Sequence, residues 1–159
     1  MGLSTFNRFR LARVHNVPSD VDLGDLVDRA KNELWVDYDV AVDGGLVSTI
    51  ALNKTGKLSG LVAATLPSGA VVKNVVIDII TPFVSAGGTG TIAVSSEGAA
   101  DLLAAVDADT LANQVQGIPN DAVANMVKLT ADRTVSVVVG TEALTAGKCR
   151  IFIEYLLSA

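Results

Sequence analysis

The stretch from Leu66 to Phe83, with the sequence LPSGAVVKNVVIDIITPF, constrains the fold of this chain more than any other. Its middle, Val71–Thr81, is rich in β-branched residues, and the two-residue period of a strand gives it one strongly apolar face and one mixed face. Pro67 and Pro82, which are typical turn residues, bound this strand. Such a strand needs partners on both edges, and the sequence offers candidates downstream, around Thr91, Val135 and Ile151.

Several further short strands are separated by turn residues. The sequence DGG at 43–45 predicts a hairpin between strands Val36–Val42 and Leu46–Leu52, because glycine readily supplies the positive φ of tight turns. Residues 96–121 fit either a helix or a long loop. The remaining predicted strands are Thr91–Ser95, Val123–Leu129, Thr134–Val139 and Lys148–Leu157. Many short strands without long intervening helices predict an all-β fold, an antiparallel β-sandwich or jelly roll.

The predicted core lies on the odd-numbered positions of three of these strands. Its members are Val75, Ile77, Ile79, Val135, Val137, Ile151, Ile153 and Tyr155. In the first predicted strand, the inward-facing residues are Val36, Tyr38, Val40 and Val42. These alternating apolar faces would pack against one another between two sheets.

The residues before this β-domain divide into an arm and a helix. Residues 1–18 mix apolar and basic side chains, which fits either an extended arm that lies along another protein or a frayed terminus. Ser19–Leu34 is predicted as a short helix, since Ser19 and Asp22 resemble a capping box and apolar residues follow at helical spacing. The predicted division is therefore an arm and short helix at 1–34 and a β-sandwich domain at 35–159.

The apolar content is high for a chain that would work alone. Hydrophobic residues make up 50% of the 159 residues, aromatic ones only 4%, and the mean hydropathy is +0.46. No run reaches the roughly 18 apolar residues of a membrane-spanning helix. Apolar side chains on second strand faces, such as Val72, Val76 and Ile80, therefore predict surface buried between subunits of an oligomer.

Charge is distributed unevenly. The net charge of −5 combines a basic segment at 1–18, which holds all of Arg8, Arg10 and Arg13 and no acid, with a strongly acidic segment at 19–43. An acidic body argues against nucleic-acid binding, which needs a dense positive face. Residues 1–17 lack the apolar core of a secretory signal, and the single cysteine, Cys149, excludes an internal disulfide and fits a reducing cytoplasm.

The acidic residues Asp37, Asp39 and Asp43 form one candidate site. Asp37 and Asp39 lie about 7 Å apart on one strand face. A calcium site is conceivable there, although the spacing lacks the curvature and glycine of a calcium loop, so a solvated acidic face is the alternative that we favour. Trp35 beside Tyr38 could form a sugar-stacking platform, but packing is the more usual role of such a residue.

No catalytic constellation can be assembled from the sequence. His15 is the only histidine and has no nearby partner of catalytic type. Cys149 falls on the apolar face of the last strand, where a buried, inert thiol is expected. Gly87–Gly90 lacks the dinucleotide and phosphate-loop patterns and is predicted as a turn. We therefore expect no enzymatic activity, no cofactor and no metal.

Sequence motifs in the second half of the chain resemble those of a known protein class. The segments LPSGAVVKNVVIDIITPF, GGTGTIAVSSEGAADLLAA and KLTADRTVSVVVGTEALTAGKCRIFIEYL are similar to small virion proteins of tailed bacteriophages. The resemblance covers the chain from Pro67 onward and is strongest to jelly-roll decoration or cement proteins that bind the outside of the capsid.

The resemblance implies a structural virion protein. It implies a homotrimer on the capsid surface, with the major capsid protein as partner, stabilising the head, and with the amino-terminal segment reaching onto neighbours. The residues expected to bind the capsid are Phe6, Arg8, Phe9, Arg10, Leu11 and Arg13. Assembly in the host cytoplasm without nucleic acid or membrane follows the same expectation. A receptor- or carbohydrate-binding spike module and a tail or neck component remain the alternatives.

Overall fold

A computed structural model describes residues 32–52, 64–118 and 126–158. The predicted arm, nearly all of the predicted helix, residues 53–63 and residues 119–125 lie outside the described residues. The first described strand, β1, begins at Asn32, so residues 32–34 extend a strand instead of ending a helix. The division of the chain at residue 34 stays a prediction.

The larger sheet, sheet A, is antiparallel and contains the strand expected at its centre. Its strands are β1 (Asn32–Asp39), β4 (Ala70–Ser85), β7 (Gln114–Gln116), β8 (Val127–Lys128) and β11 (Leu144–Leu157). The strand order is β1-β11-β4-β7, and β8 also pairs with β4. The long strands β4 and β11 therefore form the middle of the sheet.

A second sheet, sheet B, has the strand order β2-β10-β5-β6. Its strands are β2 (Ser48–Ala51), β5 (Thr91–Ser95), β6 (Leu103–Asp107) and β10 (Ser136–Gly140). A short pair, β3 (Thr65–Leu66) with β9 (Arg133–Thr134), forms a third ladder. The helical pieces within the described residues are α1 (Val40–Asp43) and a 3-10 turn at Ala108–Thr110. The all-β antiparallel sandwich is confirmed.

Apolar side chains of the described strands form one core cluster. Six predicted core residues are almost fully buried: Val75, Ile77, Val135, Val137, Ile151 and Ile153. The remaining two, Ile79 and Tyr155, are partly buried and pack against that core. Each large aliphatic side chain that leaves water contributes about 1.5–3 kcal/mol, which makes this cluster the main source of stability.

A β-bulge changes which face of β4 points inward. Asn74 pairs with Glu154 and Val72 pairs with Tyr155, so Lys73 is an extra residue between consecutive pairs. Inward positions are therefore even-numbered before the bulge and odd-numbered after it. Val72 is fully buried as a result, and its expected place on an exposed second face is wrong.

The hairpin predicted at residues 43–45 does not form. β1 pairs with β11 in sheet A, whereas β2 pairs with β10 in sheet B. Between them the Asp39 carboxylate accepts the Ala41 N–H, and Asp43 accepts the Asp39 N–H, which closes a helical turn. Gly44, with φ +95°, ends that turn, and Val42 is 63% exposed instead of facing inward.

The segment 96–118 is neither a helix nor a long loop. It contributes β6, the 3-10 turn and β7 to the two sheets. The last strand also begins earlier than predicted, at Leu144, because Gly147 with φ +138° lets the chain stay in the sheet. A Cβ at Gly147 would collide with the Phe83 ring, which stacks on Tyr38 at 6.0 Å between centroids.

No helix within the described residues has the length and apolar character needed to cross a membrane.

Candidate interaction surface

The outer face of sheet A carries a row of paired charges. Arg150 on β11 lies opposite both Asp37 on β1 and Asp78 on β4. Its Nε and a terminal nitrogen donate to the two oxygens of Asp37 at 2.6 and 2.9 Å. This fork is the strongest geometry available to an arginine and a carboxylate, and the Asp37 hydrogen bond raises the pKa of Arg150.

The acidic trio is therefore engaged in the structure. Lys148 on β11 lies 3.3 Å from Asp39, one row along from the Asp37–Arg150 pair, and Asp43 accepts a hydrogen bond from the Asp39 backbone. A solvated acidic face is thus an incomplete description, because the neighbouring strand supplies cations. The described residues contain no group of three or more acidic, histidine or cysteine side chains arranged to hold a metal ion.

Trp35 is covered by a cation. The guanidinium carbon of Arg150 lies 4.3 Å from the centroid of the Trp35 ring. A cation at this distance is attracted by the negative face of the ring. One face of the indole is therefore occupied within the chain, which favours the packing role over a sugar-stacking platform.

The loop at Gly87–Gly90 wraps around a carboxylate of its own chain. Glu142, in the turn between β10 and β11, accepts the N–H groups of Gly87 at 2.8 Å and Thr89 at 3.3 Å. A Cβ at Gly87 would collide with that carboxylate. The two N–H groups therefore bind a carboxylate of the chain itself, while the Gly88 N–H between them donates to the Ser85 hydroxyl. The predicted turn lies where expected, but sequence reasoning missed its partner.

A second carboxylate anchors the same loop. Asp109 in the 3-10 turn accepts both the backbone N–H and the hydroxyl of Ser85, at 2.9 and 2.6 Å. These hydrogen bonds lower the pKa of Asp109. The Ser85 hydroxyl oxygen in turn accepts the N–H groups of Gly88 and Gly90. The β4–β5 loop, the 3-10 turn and the β10–β11 turn are thereby fixed to one another at one end of the sandwich.

The other end of the sandwich has its own ion pair. Arg133 donates to both oxygens of Glu97 at 2.9 and 3.3 Å, and Thr130 also donates to that carboxylate. The hydrogen bonds from Arg133, followed by those from Thr130, lower the pKa of Glu97 to about 2. This pair joins the β5–β6 connection to the chain that enters β9.

Cys149 is a buried core residue, as predicted. It is 1% exposed, and burial raises the pKa of the thiol to about 12. The thiolate needed for nucleophilic chemistry is therefore scarce at neutral pH. His15 lies outside the described residues.

The expected capsid-binding residues are not placed by the structure. Phe6, Arg8, Phe9, Arg10, Leu11 and Arg13 all lie outside the described residues. Within the described residues, large apolar side chains are exposed at both ends of the sandwich. They are Val42, Leu46, Val47, Ile80, Val84, Met126, Leu156 and Leu157. In the part of the chain that the structure describes, these side chains and the charged outer face of sheet A are candidate surfaces for binding another protein.

The fold is found in solved structures of phage capsids. A chain in the cyanophage Pam1 capsid asymmetric unit matches with a TM-score of 0.54 and 17% identity, over 80% of this chain and 86% of that chain. A chain in the acid-stable capsid structure of Helicobacter pylori bacteriophage KHP30 matches with a TM-score of 0.52 and 17% identity, over 80% and 89%. A chain in the capsid of Ralstonia phage GP4 gives 0.50 and 15%, over 81% and 87%.

These matches extend over most of both chains, so each neighbour is a chain of similar size. At identities of 15–17% the property that is shared is the fold. No protein-family model matches the chain, and no curated protein matches it by sequence.

Proposed function

We propose that this chain is a non-enzymatic structural protein of a phage virion. It binds the outer surface of the head as a decoration or cement protein and stabilises it as a homotrimer. The observation that carries the proposal is the fold shared with similarly sized chains in three phage capsid structures. The sequence motifs from Pro67 onward point to the same class independently.

The chemistry of the described residues supports a structural role. The cysteine is buried, and the clustered carboxylates are bound to backbone N–H groups, Ser85 or cations, which orders loops instead of leaving acid–base pairs for substrates. The covered face of Trp35 weighs against the carbohydrate-binding alternative. The remaining alternative, a tail or neck component, differs from the proposal only in its place on the virion.

The exposed apolar side chains support assembly with other subunits. Leu46 is 76% exposed and Val42 is 63% exposed, although both are large apolar residues. Side chains of this kind are commonly buried between proteins. A trimer on a capsid would bury such surface both between copies and against the shell.

The amino-terminal arm is the proposed tether to the capsid. It has a charge of +3 in an otherwise acidic chain, and Phe6, Phe9 and Leu11 alternate with its arginines. Apolar side chains supply area-dependent affinity, and guanidinium groups pair with carboxylates of the partner. Three arms on one trimer would bind with an avidity about 10²–10⁴ above that of a single arm.

Imaging the virion tests the proposed location. The full chain carrying a compact label would be imaged on purified virions by negative-stain electron microscopy. Label on the head surface is the expected result, whereas label on the tail, neck or spikes would overturn the decoration role. Light scattering of the free protein at micromolar concentration checks the trimer, and a monomer there would contradict it.

Removal of the arm tests the tether. Deletion of residues 2–14 should leave the trimer folded and sharply lower its occupancy on capsids stripped of the native protein. Arg8→Glu together with Arg10→Glu should lower occupancy in part, and more at low salt than at high salt, because salt screens exposed charge pairs. If the truncated trimer binds as tightly as the intact one, attachment occurs through the β-domain.

A further inference from the structure

Several exposed apolar side chains in the described residues lie at one end of the sandwich, which we call the apolar end. It is defined by Val42, Leu46, Val47, Ile80 and Val84, which are 63, 76, 55, 48 and 47% exposed. The opposite end carries Met126, Leu156 and Leu157, which are 56, 53 and 50% exposed. Within the described residues, the apolar end therefore holds the larger set of exposed apolar side chains.

Strand pairing brings these residues to the same end. Leu144, at the start of β11, pairs with Ser85, the residue after Val84, and its N–H donates to Gly45, the residue before Leu46. Leu144 thus connects the strand that carries Val84 to the loop that carries Leu46 and Val47. Lys148 pairs with Thr81 on β4 and with Asp39 on β1. Ile80 directly precedes Thr81, and the turn that carries Val42 directly follows Asp39, so both residues belong to the same end.

The backbone beneath this end is held in place. Glu142 and Asp109 fix the loop between β4 and β5, and the Leu144 N–H lies 2.7 Å from the Gly45 carbonyl oxygen. The carboxylates of Asp39 and Asp43 fix the turn that carries Val42. A surface that is already ordered loses little conformational entropy on binding, so its apolar area contributes more to affinity.

Among the described residues, the charge around the apolar end is mostly negative. Five carboxylates lie there: Asp39, Asp43, Asp107, Asp109 and Glu142. Among the described residues, the cation at this end is Lys148, which is paired with Asp39. The cations Lys128 and Arg133 lie toward the opposite end, beside Val71 and Leu66. A complementary partner therefore presents an apolar centre surrounded by lysine or arginine side chains.

A symmetric contact between the apolar ends of two copies does not meet that requirement. A symmetric contact between two apolar ends would place Asp107 and Glu142 of one copy near the same carboxylates of the other. Like charges brought together in an interface cost several kcal/mol. The partner is thus a different surface, with basic groups at its rim.

We propose that the apolar end is the surface by which the β-domain seats on the capsid shell, at a site with an apolar centre and a basic rim. This inference rests on the proposed decoration function and adds a contact to the one assigned to the arm. The arm tethers the protein to the capsid, and the apolar end fixes the orientation of the β-domain on the shell.

A matched pair of double variants tests the inference in the full-length chain. Leu46→Ser with Val47→Ser changes the apolar end, and Leu156→Ser with Leu157→Ser makes a similar change to exposed side chains at the opposite end. Binding of each protein to capsids stripped of the native protein is measured at two salt concentrations. Since burial of each such side chain corresponds to roughly tenfold in affinity, the first variant should lose about 10- to 100-fold and the second less than about twofold.

The basic rim has a separate test. Asp43→Asn with Asp107→Asn removes two charges and keeps the side-chain oxygens that accept backbone N–H groups. Its affinity should fall at low salt and approach that of the unchanged chain at high salt, since exposed charges are screened. If the variant and the unchanged chain bind with equal affinity at low salt, the proposed basic rim of the partner is wrong.

The outcomes separate this inference from the proposed function. If the unchanged protein binds stripped capsids and the Leu46/Val47 variant binds equally well, the apolar end is not the seat, and the decoration function stands. Equal losses in both double variants would also overturn the assignment. A change in oligomeric mass of the Leu46/Val47 variant by light scattering would make the apolar end a contact between copies. If the unchanged protein does not bind capsids, the proposed function fails and this inference fails with it.

Discussion

Arg150 covers one face of Trp35 while it holds Asp37 with two hydrogen bonds of 2.6 and 2.9 Å. The cation thereby joins the edge strand β1 to β11 through both a ring contact and a carboxylate. A planar guanidinium can make both contacts at once, whereas the ammonium group of lysine is a point charge on a flexible stem. The identity of residue 150 therefore matters beyond its charge.

Arg150→Lys should change the environment of Trp35. We expect a red shift of the tryptophan emission, because the ring gains contact with water, and a loss of about 1 kcal/mol in the free energy of unfolding. Trp35 is the single tryptophan of the chain, so the emission reports on it alone. Lys148→Arg, one row along on the same strand, is the control and should leave the emission unchanged. Unaltered emission in Arg150→Lys would contradict the ring contact.

Ile153→Asp should unfold the β-domain. Ile153 is fully buried and pairs with Val75 and Leu34 on the two neighbouring strands, so the new carboxylate would be left in the core without a partner. Such changes cost more than about 4 kcal/mol. Leu157→Asp, on the same strand but half exposed, is the control and should retain a cooperative thermal transition in circular dichroism. A folded, cooperatively melting Ile153→Asp protein would show that the face assignment is wrong.

Gly147→Ala should be more destabilising than Gly88→Ala. Both glycines have positive φ, which costs an alanine roughly 1–2 kcal/mol. A Cβ at Gly88 meets open space, whereas a Cβ at Gly147 collides with Phe83. Overpacking should add about 1–3 kcal/mol at Gly147. Urea titrations of the two variants measure the difference, and equal midpoints would contradict the packing of Phe83 against this glycine.

The Glu97–Arg133 ion pair should make stability depend on pH in the acid range. The folded-state pKa of Glu97, about 2, lies below the ordinary value of 4.5, so the unfolded chain takes up the proton first as pH falls. The contribution of the ionised carboxylate is therefore present above about pH 4.5 and is lost as pH falls toward about 2.

Glu97→Gln isolates this effect. The variant should be less stable than the unchanged chain at pH 7, and the gap should close between pH 4.5 and pH 2. Thermal unfolding at a series of pH values is the measurement, and a gap of constant size in Glu97→Gln would contradict the ion pair.

Local sequence patterns were sufficient to predict strands and much of the core. Thr91–Ser95 has the predicted bounds, because alternating apolar residues follow a glycine-rich loop directly. The buried faces of β10 and β11 follow from the same two-residue period. The switch from even- to odd-numbered inward positions in β4 could not be predicted. Both Val71 and Val72 are apolar, and the position of the extra residue, Lys73, is determined by pairing with β11.

The failed hairpin has a different cause. Gly44 and Gly45 permit a tight turn, but they equally permit the end of a helical turn, and the Asp39 and Asp43 side chains select the second outcome. The contacts of the candidate surface could also not be predicted from the sequence. Glu142 is 55 residues from Gly87, and no sequence spacing indicates that they meet. The arm residues stay predictions.

The position of β11 between β1 and β4 sets the order in which this protein can fold during its synthesis. β1 leaves the ribosome early, yet its partner in sheet A is made only when residues 148–155 have been translated, and β2 likewise waits for β10. Until then, two apolar strand edges have no partner and are open to association with other chains. Pairing over such long separations is slow. A nascent chain halted before residue 144 should therefore depend on chaperones, and folding should begin when the last strand is released.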